Sequence, residues 1–202
     1  VVSAEAAITV CIDKLAFSDF GERHGLPFIP STQSPKLLDT TQFVVKERYG
    51  AGSQNIGLNL TLDQAMAHAQ QLKNPIFQPY IVGMEISVDA WLDRKHTVKG
   101  LVLRRRDIVA NGESQVTTTF SNSVIEMQVK QMIGELQLSG PVVLQAILDS
   151  DDRLQVIECN ARFGGASTLG IAAGLDVFYW SLLAALDFDT NEVPFIRTPV
   201  EL

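Results

Sequence analysis

The chain has 202 residues, 46% of them hydrophobic and 19% charged, which is enough to bury a substantial core in one or two structural units. Its formal net charge of −7 argues against nucleic acid as a partner, and no apolar run approaches the roughly 20 residues that cross a bilayer, so no membrane partner is expected either. Two cysteines, Cys11 and Cys159, without metal-ligand spacing fit a reduced, cytoplasmic setting, and three scattered histidines make no zinc pattern.

The opening residues, VVSAEAAITVCI, have neither a basic stretch nor a cleavage site, so they do not read as a signal peptide. The chain starts in mid-pattern without a methionine, which reads as a fragment of a longer protein. Residues 13–25 predict a helix carrying Leu15, Phe17 and Phe20, ended by Gly25 and followed by extended LPFIPS. FVVK over 43–46 predicts a strand, and the glycine-bearing RYGAGSQNIG follows it. TLDQ from Thr61 is a capping box opening a helix with a stripe of Leu62, Ala65, Met66, Ala69 and Leu72.

Residues 76–82 predict an apolar strand, GMEISVDAWLD a second, and TVKGLVLRRRDIV a third that passes into a polar turn, NGESQ. Asn122 or Ser123 opens a helix to about Leu138, which Gly140-Pro141 stops. VVLQAIL–DSDDR–LQVIECN is a hairpin pattern, and RFGGAST leads into an apolar helix over about 175–186. Strands joined by short turns, with no regular βα repeat, indicate an α+β fold with mainly antiparallel sheets.

The hairpin places chemistry on an apolar sheet. Strict alternation puts Glu158 and Asn160 on one face with Val156, while Ile157 and Cys159 point the other way. The turn DSDDR sets Gln145 opposite Ile157 or Glu158. An ionised carboxylate there is costly unless it is paired or holds a metal, and hard oxygen donors suit magnesium. The other reading is a Glu158–Arg162 ion pair with Gln145 and Asn160 simply hydrogen-bonded.

Lys46 ends its strand just before Gly50, Gly52 and Gly57, a pattern that reads either as a flap over phosphates or as a glycine-rich hairpin turn. GAGSQN matches neither the Rossmann nor the Walker spacing, and no kinase motif follows. On the third strand Arg104 and Arg106 share a face opposite Arg105; this is either a contact for a substrate carboxylate or a solvated basic edge. Glu113, in the turn, is a further candidate for substrate contact, and Cys159 reads as a small buried residue.

Taken in order, Asp13-Lys14, FVVK with GAGSQNIG, QPYIVGME over 78–85, the strand around Gln145 and VIECNARFGG over 156–165 resemble the ATP-grasp superfamily, in its carbamoyl-phosphate-synthase large-chain-like branch. The resemblance implies two α+β lobes clamping ATP. Residues 1–30 would be a helix and connector, 31–77 the small lobe with the phosphate-covering loop, and 78–202 the large lobe with the metal site. It also implies that the domain preceding the Asp13-Lys14 helix in the family is missing here.

By the same resemblance Lys14 and Lys46 reach the ATP phosphates, with Lys46 and Arg162 catalytic, and Gly52 and Ser53 belong to the covering loop. Gln78, Tyr80 and Ile81 line the adenine, Glu85 binds the ribose, and Gln145, Glu158 and Asn160 hold Mg2+, with Mn2+ as a substitute. Arg104 and Arg106 stay the candidates for the substrate carboxylate. The implied activity is a ligase that makes an acylphosphate for attack by an amine, with ATP and a small carboxylate as partners and a homodimer as one assembly. The alternative is a non-catalytic ATP-binding sensor or regulatory module. Three departures stand out: Gln78 where glutamate is commoner, Asn-Ala-Arg at 160–162 for Asn-Pro-Arg, and no second arginine after Arg162.

Overall fold

The computed structural model describes residues 2–50, 52, 55–110 and 112–198. Alternating apolar and polar positions build two antiparallel sheets, as the α+β reading expects. In the smaller, β1 (Phe43–Glu47) lies between β2 (Gly57–Leu60) and β3 (Pro75–Pro79). Phe43, Val45 and Phe77 bury one of its faces against Ala65 of a helix, α3 (Leu62–Ala69). That helix starts where the capping box requires: Thr61 accepts from the Gln64 N–H, and the Gln64 side chain accepts from the Thr61 N–H.

The larger sheet has the order β6-β5-β4-β7-β8, formed by β4 (Gly83–Leu92), β5 (Val98–Ala110), β6 (Glu113–Phe120), β7 (Gly140–Asp149) and β8 (Leu154–Asn160). One face carries Ile86, Val88, Leu103, Leu144 and Ala146 into the main core. Three helices cover it: α1 (Glu5–Ile12), α2 (Lys14–His24) and α4 (Ser123–Glu135). On the opposite face, Trp91 and Val102 pack under Trp180 of α6 (Val177–Ala185), which follows the short α5 (Ser167–Ala172). Further along that face α5 lies against Asp89, while Glu85, Ser87, Gln145 and Glu158 face a cavity.

Residues 27–32 stitch the sheets together. The Ile29 N–H donates to the Val156 carbonyl at 2.9 Å, and the Val156 N–H donates to that of Pro27 at 2.8 Å, which covers the edge of β8. Thr32 and Phe77 then exchange both backbone bonds, fastening the same segment to β3. The second crossing is residues 80–82. It ends at Gly83, where a β-carbon would stand 2.2 Å from the Leu148 carbonyl oxygen, so only glycine lets β4 and β7 approach so closely there.

Several elements differ from the sequence reading. The opening apolar residues form α1, and Asp13 separates it from α2 by accepting from the Leu15 and Ala16 N–H groups. The expected 76–82 strand stops at Pro79. Of the polar turn expected over NGESQ, Asn111 lies outside the described residues and Gly112 is a turn; from Glu113 the chain is strand β6, because its threonines and Val116 pair along β5. The fourth helix ends at Glu135, and Gly140-Pro141 begin β7 instead of stopping it. Ser167, read as part of the lead-in to the apolar helix, opens α5.

Candidate functional site

A cavity of about 1300 Å³ lies between the open faces of the two sheets. Pockets for drug-sized ligands run to roughly 300–1,000 Å³, so there is room here for a large ligand and a small one together. Val44, Lys46 and Gln78 line it from the small sheet; Glu85, Ser87, Arg104, Gln145, Glu158 and Asn160 line it from the large one.

The polar hairpin depends on a bulge. Gln145 pairs with Glu158 but Ala146 pairs with Val156, so Ile157 is an extra residue in β8. Val156 and Cys159 are therefore both buried in the main core, while Ile157, Glu158 and Asn160 line the cavity. This corrects the placement of Val156 beside Glu158 and of Ile157 beside Cys159: strict alternation cannot count through an inserted residue. Asn160 Nδ2 donates to Glu158 Oε1 at 2.8 Å. Arg162 donates to the Phe163 carbonyl, so the Glu158–Arg162 pairing is not the one formed. Cys159 does face away from this group. Its hydrogen bond with Cys11 of α1, and then burial, hold its thiol well above the usual range.

Two lysines meet the cluster from across the cavity. Lys46 is only 5% exposed, and burial lowers its ammonium to about 8; Glu158 opposes that shift and Lys14 adds to it. Lys14 is lowered in the same direction, first by burial and again against the pull of Glu158. Its Nζ donates to the Gly50 carbonyl at 2.9 Å, where the glycine-bearing loop leaves β1. Arg48 grips Asp13 through Nε and Nη2 at 2.7 and 2.5 Å, and the Tyr49 hydroxyl adds a third donor. The Arg48 hydrogen bond is the main reason the Asp13 carboxyl sits at about 2. Gly50 and Gly52 have φ of 120° and 77°, which a side chain disfavours. Gly52 lines the cavity; Ser53 lies outside the described residues.

The three arginines part company. Arg105 is exposed and pairs with Asp107, which is the solvated edge the sequence allowed. Arg106 lines the cavity but spends its donors on the Ser114 hydroxyl, the Gly112 carbonyl and Glu85, at 2.9, 2.7 and 2.9 Å. It thus braces the glutamate expected to meet a ribose. Arg104 is 2% exposed and bound to Asp89. Gln78 is buried and donates to the Ser31 hydroxyl, while Tyr80 and Ile81 line the cavity between the sheets. The side chain of Glu113 lies outside the described residues. Sequence reasoning passed over Ser87 and Asp89, although the period of two that starts at Glu85 puts both on its face.

Among the described residues there is no group of three or more histidine, cysteine or acidic side chains able to hold a metal. The donors at the bulge are one carboxylate and two amide side chains. That set suits a hard divalent cation only where further oxygens come from elsewhere, such as phosphates or water. No described helix is long and apolar enough to cross a membrane.

No match was found among curated proteins. The fold recurs in the biotin carboxylase domain dimer of 2-oxoglutarate carboxylase from Hydrogenobacter thermophilus, solved with MgADP, ADP and bicarbonate. The TM-score is 0.79 at 14% identity, covering 96% of this chain and 50% of that one. N5-carboxyaminoimidazole synthase from Aspergillus clavatus, with ADP and 5-aminoimidazole ribonucleotide, gives 0.77 at 14%, covering 93% and 54%. L-amino acid ligase from Bacillus licheniformis gives 0.73 at 18%, covering 96% and 52%. At such identities the likeness is one of fold, and the chain spans about half the length of these structures. The family described as "ATP-grasp in the biosynthetic pathway with Ter operon" matches residues 71–202, more than half of the chain. The chain therefore belongs to the ATP-grasp family.

Proposed function

We propose that this chain is the ATP-binding part of a Mg-ATP-dependent ligase that activates a carboxylate as an acylphosphate for attack by an amine. The observation that carries the reading is the meeting of Lys14 and Lys46 with Glu158 across the cavity, with Gln145 and Asn160 beside it. A buried cation and a half-buried one next to a carboxylate make a poor core but a good receptor for a polyphosphate. The small sheet and its loop, residues 31–77, would cover the phosphates, and residues 78–202 would supply the remaining groups. Of the related structures, one was solved with MgADP, ADP and bicarbonate and another is an L-amino acid ligase, which accords with this class of chemistry.

In this reading adenine lies along Gln78, Tyr80 and Ile81, and the ribose hydroxyls meet Glu85, held by Arg106. Gln145, Glu158 and Asn160 would hold magnesium, or manganese in its place, which when bound supplies Lewis-acid charge at the phosphate oxygens. A substrate carboxylate oxygen attacks the γ-phosphorus, the bond to the β–γ bridging oxygen breaks, and ADP leaves. Lys14, Lys46 and Arg162 offset charge on the phosphoryl oxygens as they move. An amine then attacks the acyl carbon, phosphate departs, and the amine gives up a proton as the amide forms. The carbamoyl-phosphate-synthase-like branch, a cytoplasmic location and assembly as a homodimer belong to the same proposal.

The test is calorimetric titration of Mg-ATP into the chain and into a Glu158→Ala/Asn160→Ala variant. Binding to the first should weaken in the second by about 10- to 100-fold, the scale of losing charge-assisted contacts. Equal affinity would overturn the assignment. ADP release that responds to an added carboxylate separates a ligase from a sensor module that binds ATP without using it.

A further inference from the structure

Five polar positions form one row across the large sheet. Thr119, Arg104, Ser87, Gln145 and Glu158 stand on successive strands, each paired with the next. Three strand spacings separate Arg104 from Glu158, or roughly 14 Å between Cα atoms. Ser87, buried and small, leaves the floor between them low. Space for a small ligand therefore lies between the guanidinium at one end of the row and the proposed phosphate site at the other.

Arg104 is held for a purpose its own partners do not exhaust. Its Nε and Nη2 donate to Asp89 at 2.5 and 3.2 Å. Asp89 also accepts from the Ser167 hydroxyl at 3.2 Å, and Ser167 in turn accepts from the Gly164 N–H at 2.9 Å. Gly170 of α5 lies against Asp89, where a β-carbon would stand 3.2 Å from Oδ2. Arg104 is thereby coupled to the loop that carries Arg162. Yet among the described residues Arg104 Nη1, fully buried, has no hydrogen-bond partner. A buried donor left unmade costs about 1–3 kcal/mol, so a side chain this constrained calls for a ligand acceptor. Arg106, its neighbour on the same face, has its donors engaged and offers no such site.

We propose that Arg104 Nη1 binds the carboxylate of the acceptor substrate over Ser87, and that Asp89, set by Ser167, is the residue that positions it. A planar guanidinium fastened along one edge presents its remaining donors in a fixed direction, which suits a carboxylate better than a mobile lysine would. The proposal rests on the ligase reading above and narrows it: the ligand class is a small organic acid, and Arg104 serves the acid while Arg106 serves the ribose.

The experiment titrates the chain, saturated with Mg-ADP, with the proteinogenic amino acids and a set of simple carboxylic acids, each beside its primary amide. Arg104→Gln alone would leave Asp89 buried without its partner, so the neutral double variant Arg104→Gln/Asp89→Asn is the working comparison. At least one acid should bind the unaltered chain better than its amide. Its affinity should drop about 10- to 100-fold in the double variant and less in Asp89→Asn alone, with Mg-ADP affinity unchanged within about twofold. The proposal is overturned if no acid binds, if the amide binds as well, or if the double variant binds the acid equally. A parallel loss of Mg-ADP affinity would also overturn it, by making the pair merely structural. Failure of the unaltered chain to bind Mg-ADP at all would instead overturn the ligase reading.

Discussion

The two faces of the five-stranded sheet are made by the same strands and obey opposite rules. On β4, Ile86, Val88 and Ala90 enter the core, while on the other face Glu85 and Ser87 line the cavity and Asp89 continues their row under α5. The core face needs only apolar volume and shape. The cavity face has to satisfy each polar group individually: Asp89 with Arg104, Glu85 with Arg106, Asn160 with Glu158. A residue's side of the sheet thus decides whether its loss is felt as a cavity or as an uncompensated charge.

Asp89→Ala tests the cavity face most severely. It strands the Arg104 guanidinium in a buried site, and breaking such a pair costs about 3–5 kcal/mol. Urea unfolding should show that loss, and a loss below about 1 kcal/mol would mean that solvent reaches the pair. On the core face Leu144→Ala should cost about 2–5 kcal/mol through cavity formation, yet leave Mg-ATP affinity within twofold. Affinity lost without stability would break the division between the faces.

Lys46 sharpens the comparison, because function and stability pull it apart. With its folded value at about 8 against an ordinary 10.5, the folded chain holds fewer protons than the unfolded chain across that window. Stability should therefore rise with pH from about 8 to 10.5, an interval worth about 3 kcal/mol. Lys46→Met should be the more stable protein near pH 7, lose this rise, and bind Mg-ATP poorly. Denaturant midpoints of both proteins at several pH values check it, and parallel curves would refute it.

The smallest effect is expected at Asp13, which serves neither face but ties α2 to the end of β1. Asp13→Asn should keep much of the helix cap and lose the charge paired with Arg48, costing about 1 kcal/mol. In the unaltered chain the contribution of this carboxylate is present above its ordinary value of 3.8 and is lost as pH falls through about 2. Acid unfolding of the two proteins should converge in that window.

Much of this was legible in the chain because it is local. The capping box at Thr61, the N-cap at Asn122 and the alternation through EISVDAWL each depend on residues a few positions apart. The mainly antiparallel pairing and the mixed α+β class followed from the same short-range signals. What failed did so where neighbours in space outweighed neighbours in sequence. ESQVTTTF has the polarity of a loop until β5 offers it an edge, and the opening apolar residues become a helix only by packing Cys11 against the back of β8.

For the site, sequence alone determined which residue types alternate toward a common face: Glu85, Ser87 and Asp89 on β4, Arg104 and Arg106 on β5, Gln145 on β7. Period-two geometry needs nothing but the backbone. Only the tertiary structure decided that Ile157 is extruded, because a bulge is set by pairing with β7 and by the core's demand for Val156 and Cys159 together. It alone decided that Arg104 is buried against Asp89 while Arg106 turns to Glu85. Which of two equivalent arginines becomes a buried, half-satisfied donor depends on partners from other strands and from α5, and no local pattern encodes those distances.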